Sequence, residues 1–214
     1  KGIDVELAKE AFRRLGYRPK FENIVWEDKD ELLADGTVDC LWSSYSMNGR
    51  EDKYQWAGPY LYSRQMVVVK NESEIQTLSD LKGKRIAVQA TTKAEDLFLH
   101  NIKSDLPQMQ QVNCFSTTNE IYAALRKSYV DAIAGHEAML GSLVKEGKDA
   151  YRMLDESIYK SELGVAFKKG THEEVAADLT ETLKKLQREG ITEKIVTKYG
   201  LDADEILPEG EQNE

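Results

Sequence analysis

Short apolar runs alternate with segments of helical periodicity along most of the chain, and this alternation constrains the fold more than any other feature. VDCLWSS (38–44), QMVVVK (65–70), DLKGKRIAVQ (80–89), VDAIAG (130–135) and LGVAFKK (163–169) read as buried strands, the third after a turn. FENIVW (21–26) and QQVNCF (110–115) read as two more. Between them, Val5, Ala8, Phe12 and Leu15 recur at helical spacing, with Asp4 as the expected N-cap and Gly16 closing the segment. DELLA (30–34) is a short helix ended by Asp35-Gly36, and helices are also expected over 93–100, 118–128 and 137–146. A long helical stretch over 172–199 breaks near Gly190. Strands alternating with helices imply parallel sheets covered on both faces. Ligands of such sheets sit beyond the carboxyl ends of the strands, which selects the segments after Trp42, Val88 and Ala134.

Composition narrows the function. The 214 residues fit one large domain or two modest lobes. A net charge of −9 argues against a duplex-DNA or anionic-membrane binder, which needs a basic face. No run approaches the ~18 apolar residues that span a bilayer. Cys40 and Cys114 form no C-x-x-C pair and stand in apolar-flanked runs, so both are expected to be buried strand residues, with a disulfide between them left open. The chain opens on Lys1-Gly2-Ile3 without a Met or an apolar leader, so a removed secretion signal is expected. The polar PEGEQNE end is expected to fray.

Catalytic patterns are missing. The chain has no G-x-x-x-x-G-K-[ST], no G-x-G-x-x-G and no G-x-S-x-G. His136-Glu137 begins like a zinc-protease H-E-x-x-H, but Leu140 stands where the second histidine belongs. Asp28, Asp30 and Glu31 read as a solvated helix start. Three histidines in all make a His-rich metal site improbable. The expectation is a non-enzyme with neither metal nor cofactor.

Several motifs, in order over nearly the whole chain, carry a resemblance. GIDVELAKEAFRRLG is followed by W-x9-G-x-x-D (Trp26, Gly36, Asp39), then by Arg50 with Pro59-Tyr60 nine residues on. DLKGKRIAVQ, VDAIAG, LGVAFKKG and a closing L-x-x-x-G-x-x-x-x-I complete the series. The chain resembles the bacterial extracellular solute-binding proteins, family 3, the polar-amino-acid receptors of ABC transporters. The resemblance implies an α/β, two-lobed fold of the type II periplasmic binding proteins, with two hinge strands and a ligand cleft between the lobes. Lobe one is expected over 1–64 plus 165–214 and lobe two over 65–164. Family members begin with a strand that has no counterpart here. An incomplete first lobe would leave a sheet edge open and invite a homodimer or strand exchange.

The resemblance also assigns residues. It places Arg50 on the ligand α-carboxylate, where a guanidinium fork gives two parallel charge-assisted hydrogen bonds that Lys cannot reproduce. Ser44, Tyr45 and Ser46 occupy the neighbouring ligand-contacting segment, although stabilising a turn is an equal use for these hydroxyls. Trp26 matches an aromatic wall of the pocket and equally suits a core. Thr91 and Thr92 stand where a strand opens into a helix and a carboxylate is held, without the family's usual glycine. His136 replaces an Asp that holds the α-ammonium, so Glu137 substitutes for it, the ligand lacks the usual ammonium, or the lobes form a sensor with little ligand affinity.

These residues describe an extracytoplasmic, periplasmic or lipid-anchored receptor. It would close its hinge on a small amino-acid-like ligand and deliver it to a membrane permease, without nucleic-acid partners. The rival reading is the extracellular sensing domain of a histidine kinase or cyclic-dinucleotide enzyme. A third, the dehydratase activity of a few relatives, stays open through His136 and Glu137.

Overall fold

A computed structural model describes residues 1–100, 105–147 and 149–208. In chain order the first elements are α1 (Ile3–Arg14), α2 (Lys29–Ala34), β1 (Cys40–Ser46), β2 (Tyr54–Lys70), β3 (Arg85–Gln89) and α3 (Lys93–Phe98). There follow β4 (Gln111–Phe115), α4 (Thr118–Arg126), β5 (Ala132–His136), α5 (Glu137–Glu146) and β6 (Tyr151–Met153). The chain continues through β7 (Tyr159–Lys168), α6 (Glu173–Arg188), α7 (Ile191–Lys198) and α8 (Ala203–Ile206). It divides into two compact units. One comprises Lys1–Ile24, Asp28–Ser63 and the chain from Ser161 onward; the other comprises Val25–Glu27 and Arg64–Lys160. β2 and β7 carry the chain from one unit to the other.

The first unit packs α1, α6 and α7 around Leu7, Ala11, Leu61, Val165, Phe167, Leu179 and Leu186. Buried Leu7, Ala8 and Ala11 form one stripe of α1, as the helical period requires. The end of α1 is stapled: Tyr17 N–H donates to the Phe12 carbonyl, Gly16 N–H to Arg13, and the Phe12 and Tyr17 rings meet edge-on. Gly16 supplies the left-handed turn that this motif needs, with φ +83°. Asp4 is not the N-cap. The helix starts two residues earlier, at Ile3 after Gly2, and the Asp4 carboxylate turns inward instead. β1 runs antiparallel to β7, with Cys40 opposite Phe167 and Ser46 opposite Leu163. The register breaks between Leu41 and Tyr45, where Ser44 takes φ +49°.

In the second unit the sheet order is β2-β5-β3-β4, with β6 on the far side of β2. Its faces show why QMVVVK is apolar throughout. Val67 and Val69 point into a core with Ile86, Val88, Leu97 and Leu154, while Met66 and Val68 point into another with Ile121, Leu125, Ile133 and Leu140.

The structure corrects four expectations. Residues 21–25 form no strand, and Phe21 and Val25 are 46% and 56% exposed. A strand exists by pairing, and none of the described strands pairs with this segment. The sheet is mixed rather than parallel. β3 is parallel to β4 and β5, which crossover helices join to it, but β2 meets β5 antiparallel. β2 also begins at Tyr54, well before the expected 65, because Gly58-Pro59 reads as a break inside what is a 17-residue strand. Finally, Cys114 is exposed on the terminal strand β4, Cys40 is half-buried, and both thiols are free. The PEGEQNE end lies outside the described residues.

Candidate functional site

In the first unit the β1–β2 connection gathers Ser44, Tyr45, Ser46 and Arg50 around a cluster of rings. Arg50 is half-buried, and its guanidinium carbon stands 5.3 Å from the centre of the Tyr45 ring. Its Nη1 donates to the Ser46 carbonyl at 3.3 Å. The Arg50 backbone is held too: its N–H donates to Met47, and its carbonyl accepts from Trp56 Nε1 at 3.0 Å. Tyr45, Tyr54 and Trp56 pack mutually with ring centres 5.3–5.5 Å apart. Ser46 is buried, and its hydroxyl faces Asn48 Oδ1 at 3.4 Å. That same Oδ1 accepts the Glu162 N–H at 2.7 Å, which pins the loop to β7.

Ser44 plays a structural part. Its N–H and its hydroxyl both donate to Asp4 Oδ2, at 2.8 and 3.1 Å, while Tyr60 donates to Asp4 Oδ1 at 2.8 Å. Burial raises the Asp4 carboxyl despite these three hydrogen bonds. Tyr54, Trp56 and Asp4 are the residues sequence reading missed here. The alternating YQWAGPY was the available signal, masked by its Gly-Pro.

In the second unit the carboxyl ends of β3 and β5 bring two loops together with the start of this unit's part of β2. Thr92 stands at the N-cap position of α3, and its hydroxyl, rather than capping the helix, donates back to the Gln89 carbonyl at 2.6 Å. Thr91 takes φ +58°, and its N–H donates to the Glu95 carboxylate. Lys93 is buried, with Nζ 5.0 Å from the centre of the Tyr159 ring. His136 ends β5 opposite Gln65 in register, and the Gln65 Nε2 stands 3.1 Å from its Nδ1. Glu137 opens α5 and is gripped by Arg64 in a fork: Nε to Oε2 at 2.8 Å and Nη2 to Oε1 at 2.6 Å. Neither Arg64 nor Gln65 stood out in the sequence, because their role depends on the antiparallel β2–β5 register.

The sequence-selected residues thus fall in two groups: Ser44, Tyr45, Ser46 and Arg50 in the first unit, and Thr91, Thr92, His136 and Glu137 in the second. Trp26 is half-buried on a 3₁₀ turn (Trp26–Asp28) assigned with the second unit, where its neighbour Glu27 accepts from Ser116. Among the described residues no cluster of three or more His, Cys, Asp or Glu is placed to hold a metal ion. No helix among them is long and apolar enough to cross a membrane.

The model of the bacterial extracellular solute-binding proteins, family 3, matches residues 1–202. The chain is 26% identical over 201 residues to the L-cystine-binding protein TcyJ of Escherichia coli K12, covering 92% of this chain and 73% of that protein. It is 25% identical to the L-cystine-binding protein TcyA of Bacillus subtilis 168, covering 92% and 72%. Among solved structures, the substrate-binding protein of an amino acid ABC transporter superposes with a TM-score of 0.81 at 27% identity, over 92% of this chain and 87% of that one. Tv2483 bound to L-arginine superposes with a TM-score of 0.82 at 27% identity, over 93% and 81%. The shared fold is the mixed α/β fold of the type II periplasmic binding proteins. A match over nearly the full chain, on a fold that presents Arg50 and the β3 and β5 loop ends, means that this chain belongs to the bacterial extracellular solute-binding proteins, family 3.

Proposed function

We propose that the chain is an extracytoplasmic receptor that captures an amino acid and hands it to an ABC permease. The family match across residues 1–202 carries this reading, and relatives named for binding L-cystine support an amino acid as the ligand. In this reading Arg50 grips the ligand α-carboxylate. Its backbone is anchored at both N–H and carbonyl, and its guanidinium is held by the Ser46 carbonyl and the Tyr45 ring, so its fork is partly ordered before the ligand arrives. Ser46 and the Ser44 and Tyr45 backbone contact the same end of the ligand, and Trp26 offers an aromatic face.

In the second unit Thr91, Thr92, His136 and Glu137 complete recognition. Each Glu137 oxygen accepts one N–H from Arg64 and keeps a second lone pair. The carboxylate therefore can accept from an α-ammonium while Arg64 fixes its orientation, which answers the loss of the usual Asp at position 136.

The test is thermal unfolding against L-cystine, L-glutamine, L-glutamate, L-histidine and L-arginine. Ligand at about a hundred times its dissociation constant adds roughly 2.7 kcal/mol. For a chain of this size that is a rise of several degrees, at about 2–4 °C per kcal/mol. Arg50→Ala should weaken the binding amino acid by roughly thirtyfold or more. A flat panel, or full affinity in Arg50→Ala, would sink the assignment.

A further inference from the structure

A chain of hydroxyls in the first unit ends on Asp30 and begins beneath Arg50. Tyr54 donates its hydroxyl proton to Asp30 Oδ1, and Lys53 Nζ donates to Asp30 Oδ2 at 2.7 Å. Burial pushes the Asp30 carboxyl up, but the hydrogen bonds from Lys53 and Tyr54 outweigh it and hold it below its usual value. Asp30 is therefore an ionised acceptor with no proton to give. That fixes the direction of the next link. The Tyr45 and Tyr54 hydroxyls stand 2.8 Å apart, and because Tyr54 spends its proton on Asp30, Tyr45 must be the donor to Tyr54.

A phenol that donates into a chain ending on a carboxylate becomes richer in electrons, because successive hydrogen bonds polarise one another. The Tyr45 ring is the one beneath the Arg50 guanidinium, at 5.3 Å. Tyr45 and Tyr54 are 3% and 4% exposed, so the two phenols are shielded from water, while the Asp30 and Lys53 side chains at the end of the chain are 44% and 52% exposed and feel salt. We propose that Tyr45 and Tyr54 are positioning residues for Arg50, with the Asp30–Tyr54–Tyr45 relay setting the charge on the ring that holds its guanidinium. The relay would align the fork before ligand arrives, and its purpose rests on the assignment of Arg50 to the ligand carboxylate.

Two measurements separate the proposal from that assignment. The first needs no ligand. The wild type, Tyr54→Phe and Asp30→Asn are treated with phenylglyoxal, and modification of Arg50 is followed by peptide mass spectrometry against the exposed Arg18 and Arg126. Losing the relay should speed Arg50 modification by about fivefold, the worth of a weakened cation–π contact, while Arg18 and Arg126 keep their rates. An unchanged Arg50 rate in both variants, relative to the two controls, overturns the proposal. A general loosening of the fold would change all three rates together, which overturns it equally. A local packing loss is separated by Tyr54→Leu, which should speed Arg50 no more than Tyr54→Phe if the relay is the cause; a much larger rate in Tyr54→Leu overturns the proposal. The second measurement is calorimetric titration of Arg50→Ala with L-cystine and L-arginine. It judges the ligand assignment alone, so the relay stands or falls on the modification rates.

Discussion

Replacing Asp4 tests how the first unit is built. Its carboxylate accepts three hydrogen bonds, two from Ser44 and one from the buried Tyr60. Asp4→Ala leaves all three donors without this partner. At about 1 kcal/mol for each net hydrogen bond, and more when the acceptor is charged, the loss is roughly 3–5 kcal/mol. Relief of the buried charge returns part of this, so a net destabilisation of about 2–4 kcal/mol is expected. At ~2–4 °C per kcal/mol the unfolding midpoint should fall by roughly 4–16 °C.

The pH dependence carries the sharper test. Burial raises the Asp4 carboxyl above its ordinary 3.8, so the folded state binds its proton more tightly than the unfolded chain does. The stabilisation from that proton is fully present below the unfolded value and is lost as pH rises through the folded one. The stability gap between wild type and Asp4→Ala, read by urea unfolding, should therefore widen as pH falls from 7 toward 4. A gap under about 0.5 kcal/mol at pH 7 would refute the hydrogen-bond account. A gap that narrows on acidification would show that the three donors outweigh burial.

Three further outcomes follow from the same contacts. The Cys114 thiol is pushed up to about 12 by burial and then by a hydrogen bond to Glu95, so although exposed it should react slowly with a disulfide reagent at pH 8. Glu95→Gln should speed that labelling, and an unchanged rate would remove Glu95 as the cause. Gly164→Ala places a methyl 2.6 Å from Met47 Sδ and 2.9 Å from Trp56 Cε3, so it should cost about 1–3 kcal/mol in denaturant unfolding; a neutral result would mean that both side chains move aside freely. Arg64→Ala frees Glu137 from its fork and should lose about 1 kcal/mol of stability, less at high salt because both side chains are partly exposed. A salt-independent loss would point to packing of the Arg64 stem instead.

The elements legible in the sequence were those whose pattern is local. α5 follows the expected 137–146, β3 and β4 lie inside their apolar runs, and β5 overruns its own, 130–135, by one residue at His136. FENIVW misled for the opposite reason: its composition suits a strand, but a ladder depends on residues far away in the chain. The same holds for the candidate site. Arg50 was singled out by the family resemblance, through its register to Pro59-Tyr60, whereas Arg64 and Gln65 acquire partners only when β2 and β5 pair. Asp4 looked like a cap because the sequence could not show that Ser44 and Tyr60 would converge on it.

The path of the chain through β2 and β7 has a consequence for how the protein assembles. The second unit is nearly contiguous, Arg64–Lys160, so its core can close from contacts of modest sequence separation. The first unit cannot. The apolar stripe of α1 is synthesised well before its partner α6, which begins only at Glu173. Until then Leu7 and Ala11 have no cover, and the early part of the chain depends on staying unfolded without aggregating. A chain that leaves its synthesis site before folding would gain from such an order, because α1 and α6 must meet before the first unit can lock.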